Sequence, residues 1–120
     1  MIFVDGFRIS HSRVNNSPAS CGFSLLNCFN IDVTSNEIAR NAREGVRVNA
    51  SYDIHFKRNL IEGNEADGVW LVGMSGKPRA IELSDNLIQY NGDTAVKGGL
   101  YVGAKLRANR DIGNKNPMPY

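Results

Sequence analysis

Three sets of side chains in this 120-residue sequence have types and spacings that suit chemistry. Arg47, Trp70 and Lys97 stand 23 and 27 residues apart. An indole offers an apolar face on which a sugar can stack, and the two cations suit carboxylates, arginine through its planar fork; these are the substrate-binding candidates. Glu44 and Asp67 are also 23 residues apart, and Asp93 stands next to Thr94, the counterpart of Asp67 one step later. Carboxylates held together suit an acid and base pair for glycoside hydrolysis, and Asp67 beside Arg47 or Lys97 suits proton abstraction next to a uronic carboxylate. Glu44, Asp67 and Asp93 are therefore the catalytic candidates, although acidic residues before glycine are also ordinary turn formers. Asp32, His55 and Glu82 form the third set. A histidine between two carboxylates reads as acid–base equipment or, more simply, as charge pairing across neighbouring strands.

What places these residues together is a repeat. Ile54, Phe56, Asn59, Ile61, Asn64, Gly68, Val69 and Leu71 are matched 23 residues earlier by Ile31, Val33, Asn36, Ile38, Asn41, Gly45, Val46 and Val48. The pattern returns 27 residues later from Ile81 to Gly98, with the four extra residues absorbed by the turn-rich Gly73–Pro78. A period of this length marks a solenoid, whose coils each need a neighbour to bury their apolar face. Within one coil the apolar residues fall in three short alternating runs separated by asparagine and glycine, which predicts three short strands and tight bends. Gly63 and Gly92 argue against a helix between them and the next strand. Asparagine supplies 14 of the 120 residues. It tolerates left-handed backbone and bonds neighbouring peptide groups, so Asn36, Asn59 and Asn86 are expected to stack as a ladder.

On these residues the repeat resembles the coil of right-handed parallel β-helices, the family of pectate lyases, polygalacturonases, alginate epimerases and many phage tailspikes. The resemblance covers roughly residues 23 to 114 and implies an all-β right-handed parallel β-helix solenoid of about five coils. It also implies that the strand carrying Arg47, Trp70 and Lys97 belongs to the sheet lining a substrate groove. A leucine-rich-repeat solenoid is the alternative, since the first half of the pattern also fits that motif. Against it, Cys28, Ser51 and Pro78 occupy positions that should be apolar, and the Gly-Val-x-Val half has no place there.

The chain is one domain over residues 1–120: an irregular first coil over 1–22, regular coils over 23–103, and a degenerate last coil and tail over 104–120 that reads as a stop. Five coils at the roughly 4.8 Å spacing of paired strands make a short stack. Its open strand edges and the apolar start Ile2-Phe3-Val4 lead to the expectation of a homo-oligomer or of membership in a longer chain. The net charge of +2 is too small to argue for nucleic acid. No segment reads as a membrane span or a signal peptide, and an extracellular or virion-associated setting fits the resemblance. Cys21 and Cys28 lie too far apart on one extended passage to bridge and read as free thiols. No spacing calls for a metal, and no cofactor is expected.

Two functions follow as expectations. One is a carbohydrate-active module that binds, and cleaves or modifies, an acidic polysaccharide along its outward strand face, as a polysaccharide lyase, glycoside hydrolase or uronate epimerase if it is an enzyme. The other is a non-catalytic structural segment of a phage tailspike or surface appendage. Neither the Asp-Pro-His-Glu motif of alginate epimerases nor the acidic signatures of polygalacturonases are found, so binding is the safer expectation.

Overall fold

A computed structural model describes residues 1–72, 80–98 and 103–116. Each coil contributes one strand to each of three parallel sheets. The first coil holds β1 (Asp5–Ser10), β2 (Arg13–Asn15) and β3 (Phe23–Leu26), and the second β4 (Phe29–Thr34), β5 (Glu37–Ala39) and β6 (Val46–Asn49). The third holds β7 (Tyr52–Lys57), β8 (Leu60–Glu62) and β9 (Val69–Val72), and the fourth β10 (Ile81–Ser84), β11 (Leu87–Gln89) and β12 (Val96–Lys97). A partial fifth adds β13 (Lys105–Arg107) and β14 (Arg110–Ile112). The sheets run β1-β4-β7-β10-β13, β2-β5-β8-β11-β14 and β3-β6-β9-β12. The molecule is thus an all-β parallel solenoid of four coils and a partial fifth, where the repeat predicts about five. Every regular element among the described residues is a strand, which removes the leucine-rich-repeat alternative.

The register follows the repeat. Ile54 pairs with Ile31 on one side and Ile81 on the other, and Val69 with Val46 and Val96. These residues line a single core with Phe56, Ile61 and Leu71. Alternation along each strand sends the intervening side chains outward, which makes the outer face of each sheet a grid of columns. The insertion Gly73–Pro78 and the end of the tail, residues 117–120, lie outside the described residues.

Asparagine carries the bends. The Asn59 carboxamide oxygen accepts from the backbone N–H of Asn36 at 3.0 Å, and its nitrogen donates to the Val33 carbonyl at 2.8 Å and to Asn86 Oδ1 at 2.9 Å. Asn86 continues to Asn109. Asn41, Asn64, Asn91 and Asn114 form a second ladder of the same kind. Burial explains both: bends turned away from water must satisfy their peptide groups internally, and a carboxamide supplies a donor and an acceptor at once. Cys28 and Cys21 are free thiols; Cys28 is in the core, and its backbone N–H donates to Ser51 Oγ at 2.9 Å.

Candidate functional site

The sheet β3-β6-β9-β12 brings Ser24, Arg47, Trp70 and Lys97 into one outward column, each paired with the next across neighbouring strands. Their chain neighbours Val46, Val48, Val69, Leu71 and Val96 point into the core, so packing fixes the direction of the column. Arg47 Cζ lies 5.0 Å from the Trp70 ring centroid, and Lys97 Nζ lies 5.5 Å from it. The two cations approach the indole from the two flanking strands, drawn by the negative face of the ring. Trp70 therefore holds two positive charges against its ring. Neither cation has a carboxylate within 4.0 Å among the described residues. Arg47 Nε is buried without a hydrogen-bond partner among the described residues.

The catalytic candidates lie at the bend before these strands, two of them buried. Glu44 is 2% exposed and Asp67 is 4% exposed. Both are turned into the wall at the bend leading into the Arg47, Trp70 and Lys97 strands. For Asp67 the reason is the same demand that builds the asparagine ladders: the N–H of Thr94 on the next coil needs an acceptor, and Asp67 Oδ1 supplies it at 3.0 Å. Burial, the largest cause, raises the Asp67 carboxyl above its ordinary 3.8; Asp93 and Glu44 push the same way, against the Thr94 hydrogen bond and Lys97. Glu44 Oε2 lies 3.9 Å from Arg43 Nε, and its Oε1 has no partner among the described residues. Asp93 is half-buried; it accepts from Asn116 Nδ2 at 2.7 Å and from the Thr94 hydroxyl at 3.4 Å. Asp67 and Asp93 brace a bend, and Glu44 and Asp67 are buried.

On the sheet β1-β4-β7-β10-β13, Asp32, His55 and Glu82 pair in register, with Arg8 and Lys105 extending the column at its two ends. Arg8 lies 3.8 Å from Asp32, and His55 Nδ1 lies 3.8 Å from Glu82. The column sets His55 between two carboxylates, with a cation beyond each of them. Its closest contact is one that periodicity does not show: His55 Nε2 lies 3.0 Å from Asp53 Oδ1. Asp53 takes a left-handed backbone, φ 55°, and this conformation breaks the alternation of the strand. Among the described residues no group of three or more His, Cys, Asp or Glu side chains is placed to hold a metal.

The family model for the right-handed β-helix region matches residues 1–112. Among curated proteins and among solved structures, none matches the chain. With that match over nearly its whole length, and with the parallel three-sheet coils described above, the chain belongs to the right-handed β-helix family.

Proposed function

We propose that the protein is a carbohydrate-binding β-helix module that takes an acidic polysaccharide along the outward face of β3, β6, β9 and β12. The observation that supports this is a pair of cations, Arg47 and Lys97, held against Trp70 with no carboxylate within 4.0 Å among the described residues. Surface cations on long flexible stems usually lose entropy when they are fixed. Here the indole has already restricted them, so a carboxylate that binds meets donors in place. The column rises by about 4.8 Å per coil, a step comparable with the repeat of a glycan chain; Arg47 and Lys97 stand two coils apart with Trp70 between them, so uronates on alternate units meet the cations and the unit between meets the indole.

Binding, rather than cleavage, fits the inward carboxylates Glu44 and Asp67. The same inward placement favours, as a second reading, a structural segment of a tailspike or surface appendage with no ligand on this face. The two readings separate in a titration of polygalacturonate, alginate and neutral glucan, following the fluorescence of Trp70, the one tryptophan of the chain, and the release of products. The binding reading expects a saturable change with the uronate polymers that weakens as salt screens the exposed charges, and a Trp70→Ala variant that folds but binds poorly. An unresponsive indole, or a Trp70→Ala variant that unfolds, favours the structural reading.

A further inference from the structure

The first coil leaves the core open at one end of the stack. Phe7 pairs with Ile31 and so continues the inward row of Ile31, Ile54 and Ile81. Those three are buried, whereas Phe7 is 38% exposed. Every residue of β1 is exposed except the partly buried Ile9. Among the described residues no strand pairs with the edge of β1 that faces away from β4. Residues 1–4 run along the edge of β3, where the Phe3 N–H donates to the Leu26 carbonyl at 3.0 Å and the Leu26 N–H donates to the Met1 carbonyl at 2.9 Å. They widen the apolar end, because Ile2 and Phe3 are both exposed. An unpaired strand edge beside exposed apolar side chains is a template for another strand.

Charge decides which strand fits. A second copy that continued the coil head to tail would set its β13 and β14 against β1 and β2. In register, Lys105 would then face Arg8 and Arg110 would face Arg13, because these residues stand at the two ends of the same columns, and like charges directly opposite repel. A copy turned end for end about a two-fold axis avoids this. The cations of the first coil are matched within the chain, Arg8 by Asp32 at 3.8 Å and Arg13 by Glu37 at 3.2 Å. Antiparallel pairing of β1 with its own copy, centred on Ile9, sets Ile9 against Ile9, Phe7 against His11 and Arg8 against Ser10, with no like charges opposed. Centring on Arg8 would oppose two arginines, and centring on Phe7 meets the left-handed Gly6, φ 80°. The same axis exchanges the other two sheets, so Ile2 and Phe3 come over β2 of the other copy. The two shorter dimensions of the molecule, 25 and 24 Å, bound an end face of about 600 Å². Two copies would bury about 1,200 Å², the low end of specific interfaces.

We propose that the chain forms a two-fold, end-to-end dimer in which β1 of each copy pairs antiparallel with β1 of the other and closes both cores. The test is sedimentation equilibrium of the full chain from about 1 to 500 µM, with circular dichroism to check the fold of each variant. The parent should show one monomer–dimer equilibrium, since a two-fold contact uses the same surface of both copies. Phe3→Glu puts a charge among the covered apolar residues, and Ser10→Arg sets a second cation against Arg8. Each should weaken the dimer by about tenfold or more, whereas Ser10→Glu should tighten it by pairing with Arg8. Ser10 is exposed, so its two variants decide alone if Phe3→Glu loses its fold. A chain that stays monomeric overturns the proposal and leaves this end to a partner of another kind. A trimer, an open-ended series, or a dimer that Ser10→Arg weakens no more than Ser10→Glu does also overturns it.

Discussion

Asp67 carries the clearest pH signature in the molecule. Its carboxyl is raised mainly by burial, so the folded state holds this proton more tightly than the unfolded chain does. The stabilising contribution is therefore fully present below the ordinary 3.8 and is lost as pH rises through the higher folded value. Asp67→Asn keeps an oxygen for the Thr94 N–H and removes the titration. Its melting temperature relative to the parent should climb as pH is raised from below 3.8 to neutrality; a variant that loses stability relative to the parent over the same range would contradict the assignment. Asn59 offers a second measurement at this scale. Asn59→Ala strips the Asn36 N–H and the Val33 carbonyl of buried partners, each worth about 1–3 kcal/mol when left unsatisfied, so urea unfolding should show a loss of about 3 kcal/mol. Ladder residues were legible in the sequence because the bend repeats their type. The inward turn of Glu44 and Asp67 was not, since alternation assigns side-chain direction only within a strand and fails at a bend.

At the scale of the element, three- and four-residue strands have too little length to stand alone and depend on their neighbours in the stack. Val69 pairs with Val46 and Val96 and is 0% exposed, as is Ile54 between Ile31 and Ile81. Truncating Ile54 to Ala should cost about 2–4 kcal/mol, because the removed methyl groups leave a void that the fixed coil spacing cannot close. Val69→Ala removes less volume and should cost somewhat less, and chemical denaturation measures both. A loss below about 0.5 kcal/mol at Ile54 would mean that this column is not packed. The register of these strands was readable in advance because apolar residues repeat at a fixed offset and each must lie over its predecessor. The left-handed backbone of Asp53 recurs at Asn30 and Ala80 on the neighbouring coils; what the repeat does not announce is the side chain there, a carboxylate set against His55.

For the whole molecule, stacking converts sequence distances of 23 and 27 residues into neighbouring rows. The same operation produces the core, the ladders and the cationic column. The match to the right-handed β-helix family and the three parallel sheets account for this architecture, whereas ligand choice rests on the outward side chains alone. Ile2 and Phe3 are exposed, at 59% and 75%, at the end of the stack occupied by β1, away from the Trp70 row. The central proposal is that Arg47 and Lys97, held on either side of Trp70, receive carboxylates from alternate units of an acidic polysaccharide. The most direct test compares polygalacturonate titrations of the parent chain and an Arg47→Gln, Lys97→Gln double variant, read by Trp70 fluorescence at low and high salt. The account predicts saturable binding by the parent that weakens with salt, and a folded double variant with little binding and little salt dependence. Equal binding by the two proteins, or no binding by the parent at low salt, would contradict it.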